Sequence, residues 1–216
     1  MGRHIGILGG SFNPPHKAHL FAVTDALASG RFDEIWVIPC FHHAFDKNSS
    51  LIPFKHRLEM CHRAFNQWKN VHVLDIEQKL QTQYTVDLMK HLVRENMDDD
   101  FMLIVGSDNI RDMKKWKDWK QLNKFADLYT IPRPGGYAER LWVMPDISST
   151  LIRELIYRGK WTEVQEMVTR GVWVYIEHAL LTLWYKNIPT GSDKEAWYDE
   201  YKEVGTNKPL YGRIES

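Results

Sequence analysis

Cysteine is scarce in this chain: Cys40 and Cys61 are the only two in 216 residues. Two thiols can build neither a disulfide framework nor a multi-cysteine zinc module, and their number fits a reducing compartment. Net charge is missing as well, because 28 Lys and Arg balance 28 Asp and Glu with the ten histidines neutral. A broadly basic, nucleic-acid-binding surface is thereby excluded as the leading reading. Long apolar runs are also lacking. The most apolar late stretch, Val172 to Tyr185, carries Glu177 and His178 and is too short to span a bilayer. The opening MGRHIGILGG has too short an apolar run for a secretory signal and no small-residue cleavage pattern. The expectation is a soluble, cytoplasmic protein with neither nucleic acid nor membrane as partner. No repeat of fixed period is visible.

What is present is globular. Apolar residues make up 44% and charged residues 26%, which argues against disorder throughout. A chain of this length corresponds to one domain with an appendage, and burying about 70% of its unfolded surface needs no covalent staple.

Short apolar runs alternate with longer amphipathic segments up to about residue 157, a βαβα rhythm. Strands are predicted at His4–Leu8, Glu34–Ile38, Val71–Asp75, Phe101–Val105, Leu128–Ile131 and Leu141–Met144. Helices are predicted at His19–Ala28, Phe54–Trp68, Thr85–Glu95 and Trp116–Leu122, with Met60, Phe65 and Trp68 as helix core. The fold class that follows is α/β: a Rossmann-like, doubly wound, mainly parallel sheet with helices on both faces. A small helical C-terminal part adds Ser149–Tyr157, Thr162–Val168 and Val172–Tyr185. The expected division is a domain over 1–185 and a tail over 186–216, where the apolar periodicity stops and Trp197, Tyr198, Tyr201 and Tyr211 stand among charges. Such a tail is either solvated and loosely docked or a partner-binding segment.

Open parallel sheets bind ligands beyond the carboxyl ends of their strands, so function is sought just after each strand. After the first comes Gly9-Gly10-Ser11-Phe12-Asn13-Pro14-Pro15-His16-Lys17-Ala18-His19. Two glycines let backbone N–H groups approach a phosphate, and the prolines stiffen the entry into the next helix. The segment is neither G-x-G-x-x-G nor G-x-x-x-x-G-K-[ST], which removes support for a dinucleotide oxidoreductase or a P-loop enzyme. His16 and His19 fall on one face of a helix start, where the dipole favours anions. They could be capping histidines, a metal pair wanting a third ligand such as His42 or His43, or a phosphate-binding pair. Only the last reading explains the glycines and prolines as well.

A second segment, Ile147-Ser148-Ser149-Thr150-Leu151-Ile152-Arg153, opens a helix after a strand. Ser148 and Ser149 can act as caps, whereas Arg153, one turn inside, adds a planar cationic fork suited to a triphosphate.

These residues resemble the nucleotidyltransferase superfamily with a G-x-F-x-P-x-H-x-G-H first motif and an I-S-S-T-x-x-R second motif. Within it they are most similar to the nicotinate/nicotinamide mononucleotide adenylyltransferases, from about Ile5 to Ile176. The narrowing comes from His43-Ala44-Phe45-Asp46-Lys47, His56-Arg57-Leu58-Glu59-Met60, Tyr84-Thr85-Val86-Asp87-Leu88, Gly106-Ser107-Asp108 with the later Trp116, and Arg133-Pro134-Gly135. The resemblance implies transfer of AMP from ATP to the 5′-phosphate of a pyridine mononucleotide, with pyrophosphate released. Its partners are ATP and that mononucleotide, and its cofactor is magnesium, bound mainly through the ATP phosphates. A homo-oligomer is compatible with the sequence.

Residue by residue, the resemblance makes His16, His19 and Arg153 catalytic. It assigns ATP to Gly9, Gly10, His16, His19, Gly106, Asp108, Ser148, Ser149, Thr150 and Arg153, and the mononucleotide to Ser11, Phe12, Lys47, Arg57, Thr85, Trp116 and Arg133. Bland alternatives stand beside these: Trp116 and Trp119 as core aromatics at i and i+3, Lys47 as a solvated lysine, and Asp108 as an N-cap. Two departures are visible. Ala18 stands where the first motif has glycine, so a methyl group is expected where backbone and nucleotide approach, and Lys117 follows Trp116 where aromatic or small residues are common. The alternatives in function are another adenylyl- or cytidylyltransferase of the phosphopantetheine type, a non-catalytic nucleotide-binding module, and a histidine-ligated metal hydrolase.

Overall fold

The computed structural model describes residues 2–42, 51–132 and 145–180. The predicted strand at Leu141–Met144, the end of the Val172–Tyr185 helix, the 185/186 boundary and the tail lie outside them, as do His43, Lys47 and Arg133. Among the described residues five strands form one sheet: β1 (His4–Gly10), β2 (Glu34–Pro39), β3 (Val71–Val73), β4 (Asp100–Gly106) and β5 (Asp127–Ile131). Their order is β3-β2-β1-β4-β5, and every pairing is parallel. The register sets Ile5 opposite Glu34 and Phe101, and Gly10 opposite Pro39. The chain builds outward from β1 to β3 and then crosses back to β4 on the other side of β1. That reversal is the topological switch point, and ligands bind at the carboxyl ends beside it.

Alternation along the strands divides the core between two faces. Leu8, Ile35, Val37 and Ile104 face one layer, where α1 (Lys17–Ala28), α2 (Phe54–Phe65), α7 (Ser149–Tyr157), α8 (Trp161–Met167) and α9 (Arg170–Tyr175) pack. Ile5, Ile7, Trp36, Ile38 and Leu103 face the other layer, with Val86, Met89 and Leu92 of α4 (Thr85–Glu95). The doubly wound class is thus realised with helices on both faces. No helix among the described residues is long and apolar enough to cross a membrane.

The boundaries follow local chemistry. Helix α1 begins two residues earlier than predicted, because His16 is its N-cap. Helix α2 ends at Phe65, short of Trp68. Gly30 (φ +67°) and Gly159 (φ +66°) make the left-handed exits after α1 and α7, which L side chains resist. Three short pieces carry no sequence period of their own: α3 (Ile76–Leu80), α5 (Ser107–Asp112) and the 3₁₀ turn Met113–Lys115. The predicted Trp116–Leu122 helix reduces to α6 (Trp119–Leu122). Trp116 itself is extended (φ −71°, ψ 146°), and Asp118 takes φ +48°, so Trp116 and Trp119 do not share a helical face.

Candidate active site

The loop leaving β1 runs directly into α1. Phe12 turns it with φ +47°, a left-handed conformation that costs a bulky residue of order 1–3 kcal/mol. Burial of its ring compensates: Phe12 is 1% exposed and packs on Phe65 and on the His19 imidazole, centroid to centroid 4.8 Å. His16 and His19 stack at 3.8 Å, and the His16 backbone N–H donates to His19 Nδ1 at 3.1 Å. That bond fixes the tautomer of a neutral His19: Nδ1 accepts, so the proton sits on Nε2. One histidine is buried (His16, 2% exposed) and the other half-buried, which leaves His19 better placed to meet a ligand.

The second segment docks on the first. Ser149 Oγ donates to the Pro14 carbonyl at 2.8 Å, and Arg153 Nη1 donates to the Asn13 carbonyl at 2.9 Å. Arg153 Nη2 also donates to Thr150 Oγ1 at 3.3 Å, and burial lowers the guanidinium pKa. Ser148 caps α7 by accepting the Leu151 N–H at 3.1 Å. Residues some 135 positions apart are therefore latched together, with the N-terminus of α7 against the turn that holds the histidines. The donor set here is imidazole, guanidinium and hydroxyl. Such a set fits a magnesium ion held mainly by substrate phosphates.

The two glycines at the end of β1 differ. A Cβ on Gly10 would lie 3.3 Å from the Phe12 ring, whereas one on Gly9 meets nothing within 4 Å. Gly9 follows Ile5 and Ile7 on their face of the sheet, so its open space lies at the carboxyl end of that face. Gly6 contrasts with it, since its Cβ would lie 2.8 Å from Ile104 Cδ1. We expect Gly6→Ala to lower stability by about 1–3 kcal/mol, as overpacking does. Gly9→Leu should leave stability within about 0.5 kcal/mol while cutting turnover on the order of 10- to 100-fold, the effect of a displaced substrate. Thermal melts and steady-state rates on both variants check the contrast; equal melting losses would refute it.

On the opposite side of the switch point, Gly106 ends β4 and is the N-cap of α5, so Asp108 is an exposed first-turn residue and not the cap. Thr85, half-buried, begins α4, and half-buried Trp116 packs against the α4 layer. Lys117 bridges their elements: its Nζ is 3.0 Å from Asp87 Oδ2 and 4.3 Å from the Tyr84 ring centroid. A groove of about 660 Å³ lies beside this bridge, lined by Tyr84, Asp87, Lys90, Arg94 and Lys117 among others, but by neither Thr85 nor Trp116.

The cytidylyltransferase-like family model matches residues 7–155, from within β1 to the last turn of α7. A relative from Anaeromyxobacter dehalogenans, named "Probable nicotinate-nucleotide adenylyltransferase", is 39% identical over 168 residues, which is 74% of this chain and 87% of the relative. The chain belongs to this family. A relative of the same name from Myxococcus xanthus is 36% identical, over 72% of this chain and 83% of its own. A Plasmodium falciparum nicotinic acid mononucleotide adenylyltransferase, solved in complex with NaAD, superposes with a TM-score of 0.65 at 22% identity. It covers 81% of this chain and 94% of that one, a likeness in fold.

Three expectations carried from the adenylyltransferase motifs change on inspection of side chains. Arg57 is 1% exposed, and its donors go to main-chain carbonyls: Nε to Ile52 (3.1 Å), Nη1 to Ser11 (2.9 Å) and Cys40 (2.7 Å), and Nη2 to Phe41 (3.2 Å). It lies under the loops as a brace, not at the surface as a substrate ligand. Phe12 turns its ring into the core, so any contact it makes with phosphate is through its backbone. Ala18 is fully buried beside Ala22, and its methyl joins the core of α1 instead of intruding on a nucleotide. Sequence reasoning missed Asn13 and Glu77, both buried, and Asp87 as the partner of Lys117. The signal for Glu77 was an acid in a stretch otherwise bounded by apolar Leu74, Ile76 and Leu80.

Proposed function

We propose that this chain transfers AMP from ATP to the 5′-phosphate of nicotinate mononucleotide, forming deamido-NAD and releasing pyrophosphate. The latch of Ser149 and Arg153 onto Pro14 and Asn13 is the observation that carries the reading, because it assembles imidazole, guanidinium and a helix N-terminus around one turn. A phosphate oxygen of the mononucleotide attacks the α-phosphorus of ATP, a bond forms there, and the bond from that phosphorus to the β-phosphate oxygen breaks with its electron pair leaving on pyrophosphate. The attacking oxygen is already anionic, so the protein has to align two anions and to stabilise charge on the leaving group. His19 donates from Nε2 to the phosphates, His16 holds it through the Nδ1 bond, and Arg153 takes the β- and γ-phosphates. Gly9, Gly10, Ser148, Ser149 and Thr150 present main-chain N–H groups or hydroxyls to the same phosphates, and Gly106 with Asp108 takes the ribose. Ser11, with Lys47, serves the mononucleotide phosphate side, while Thr85, Trp116 and Arg133 serve the pyridine. Magnesium supplies neutralisation of the triphosphate. We place the reaction in the cytoplasm, where the free thiols of Cys40 and Cys61 stay reduced.

The preference for nicotinate is supported by the names of the relatives. Pyrophosphate release from ATP and magnesium with each mononucleotide tests it: no release with either overturns the reaction, and faster release with the amide overturns the preference. Trp116→Ala should raise KM for the mononucleotide about tenfold, the order of a lost aromatic stack, with KM for ATP unchanged within about twofold. Equal losses for both substrates would point to a phosphopantetheine-type transferase instead. Burial of the Ala18 methyl removes the one feature that spoke for a module without catalysis.

A further inference from the structure

Glu77 has no place in the reaction just described, yet it is the one buried carboxylate among the described residues. An apolar residue would pack there without the desolvation of an acid, so its hydrogen bonds need an explanation. Its Oε2 accepts the Phe41 N–H at 3.0 Å, while the Phe41 carbonyl accepts from Arg57 Nη2 at 3.2 Å. Two buried side chains of opposite formal charge thus hold both main-chain polar groups of one residue just beyond β2. Arg57 extends the grip to Ser11 at the end of β1. In the other direction the Glu77 carbonyl accepts the Thr82 N–H at 3.2 Å, Thr82 Oγ1 accepts the Tyr84 N–H at 3.3 Å, and the Tyr84 carbonyl accepts from Asp87 and Leu88 in the first turn of α4. A continuous run of hydrogen bonds therefore joins Ser11, Phe41 and the turn bearing Thr85.

Resting on the proposed reaction, we infer that Glu77 is a positioning residue for the pyridine mononucleotide. Through Phe41 and Arg57 it sets the separation between the Ser11 loop, on the phosphate side of that substrate, and the Thr85 turn, on its ring side. A carbonyl acceptor at this position is what the Phe41 N–H requires. Burial pushes the Glu77 carboxyl up to about 7, which makes glutamine a fair replacement for its neutral form.

The test uses the full chain and two variants. Glu77→Ala should raise KM for nicotinate mononucleotide about tenfold or more, with kcat and KM for ATP within about threefold, and Glu77→Gln should recover most of the loss. A second measurement does not depend on turnover: hydrogen exchange at the Phe41 amide should be at least about tenfold faster in Glu77→Ala and near the original rate in Glu77→Gln. Unchanged Phe41 exchange in Glu77→Ala overturns the clamp. Equal rises in both KM values, or no recovery with glutamine in a chain whose β1 amides keep their protection, overturn the positioning role. An original chain that releases no pyrophosphate while Phe41 exchange still responds overturns the reaction and leaves the clamp supported.

Discussion

Replacing His19 with alanine should lower kcat by on the order of 10²–10³, the effect of removing one donor aimed at charge developing in a transition state. The effect depends on a proton whose position the fold determines. His19 Nδ1 is occupied by the His16 backbone N–H at 3.1 Å, so the ring's remaining donor is Nε2. The Phe12 and His16 rings both pack against the imidazole, at 4.8 and 3.8 Å between centroids, which restricts its rotation before substrate arrives. Alanine also removes an acceptor at the start of α1, and losing such a cap costs about 1 kcal/mol, or a few degrees in melting temperature. His19→Asn separates the two effects. Its Oδ1 can accept the His16 N–H, so asparagine should restore the melting temperature yet leave kcat low. Steady-state rates at saturating substrates and a thermal melt decide the matter: alanine activity above about a tenth of the original would make the pair a cap and nothing more.

The five described strands and several of the helices were legible because burial on one or two faces leaves a period in the residues. Thr85–Glu95 and Ser149–Tyr157 agree with the structure end to end, since each carries apolar side chains at helical spacing over two turns or more. Helices α3 and α5 left no such trace, being one or two turns long and set by what precedes them: α5 starts on the residue after β4 with Gly106 as its cap. The Trp116 segment failed for a different reason. Two tryptophans at i and i+3 look helical, but Asp118 at φ +48° interrupts the run and a salt link from Lys117 to Asp87 replaces helical packing.

At the site, motif matching gave residue positions but no side-chain directions. Phe12, Ala18 and Arg57 all sit in matched segments, and all three point into the protein. The distinction is physical: a loop that must present main-chain N–H groups needs buried side chains beneath it to hold its shape, so a motif contains both the presenters and their supports. Arg57 is a support because its donors terminate on the carbonyls of Ile52, Ser11, Cys40 and Phe41. His19 and Arg153 are presenters, since each is only partly buried and keeps a polar face at the meeting point of the two segments.

Arg153 should then be the second most sensitive position, and the shape of its side chain matters more than its charge. The guanidinium carries five N–H groups, of which Nη1 donates to the Asn13 carbonyl at 2.9 Å and Nη2 to Thr150 Oγ1 at 3.3 Å. A planar fork can keep that latch while offering further donors to a phosphate, whereas lysine, a single point charge, can serve one or the other. Arg153→Ala should reduce kcat/KM for ATP by on the order of 10²–10³ and Arg153→Lys by about 10- to 100-fold, with KM for the mononucleotide little changed. Ser149→Ala is the control for the latch by itself. It removes the hydroxyl bond to the Pro14 carbonyl, worth about 1 kcal/mol of stability, but keeps the main-chain N–H through which Ser149 would meet the phosphates, and should keep activity within several-fold of the original chain. If Arg153→Lys matched the original chain with ATP varied, or if Ser149→Ala fell as far as Arg153→Ala, the guanidinium would be holding the two segments together and not the triphosphate.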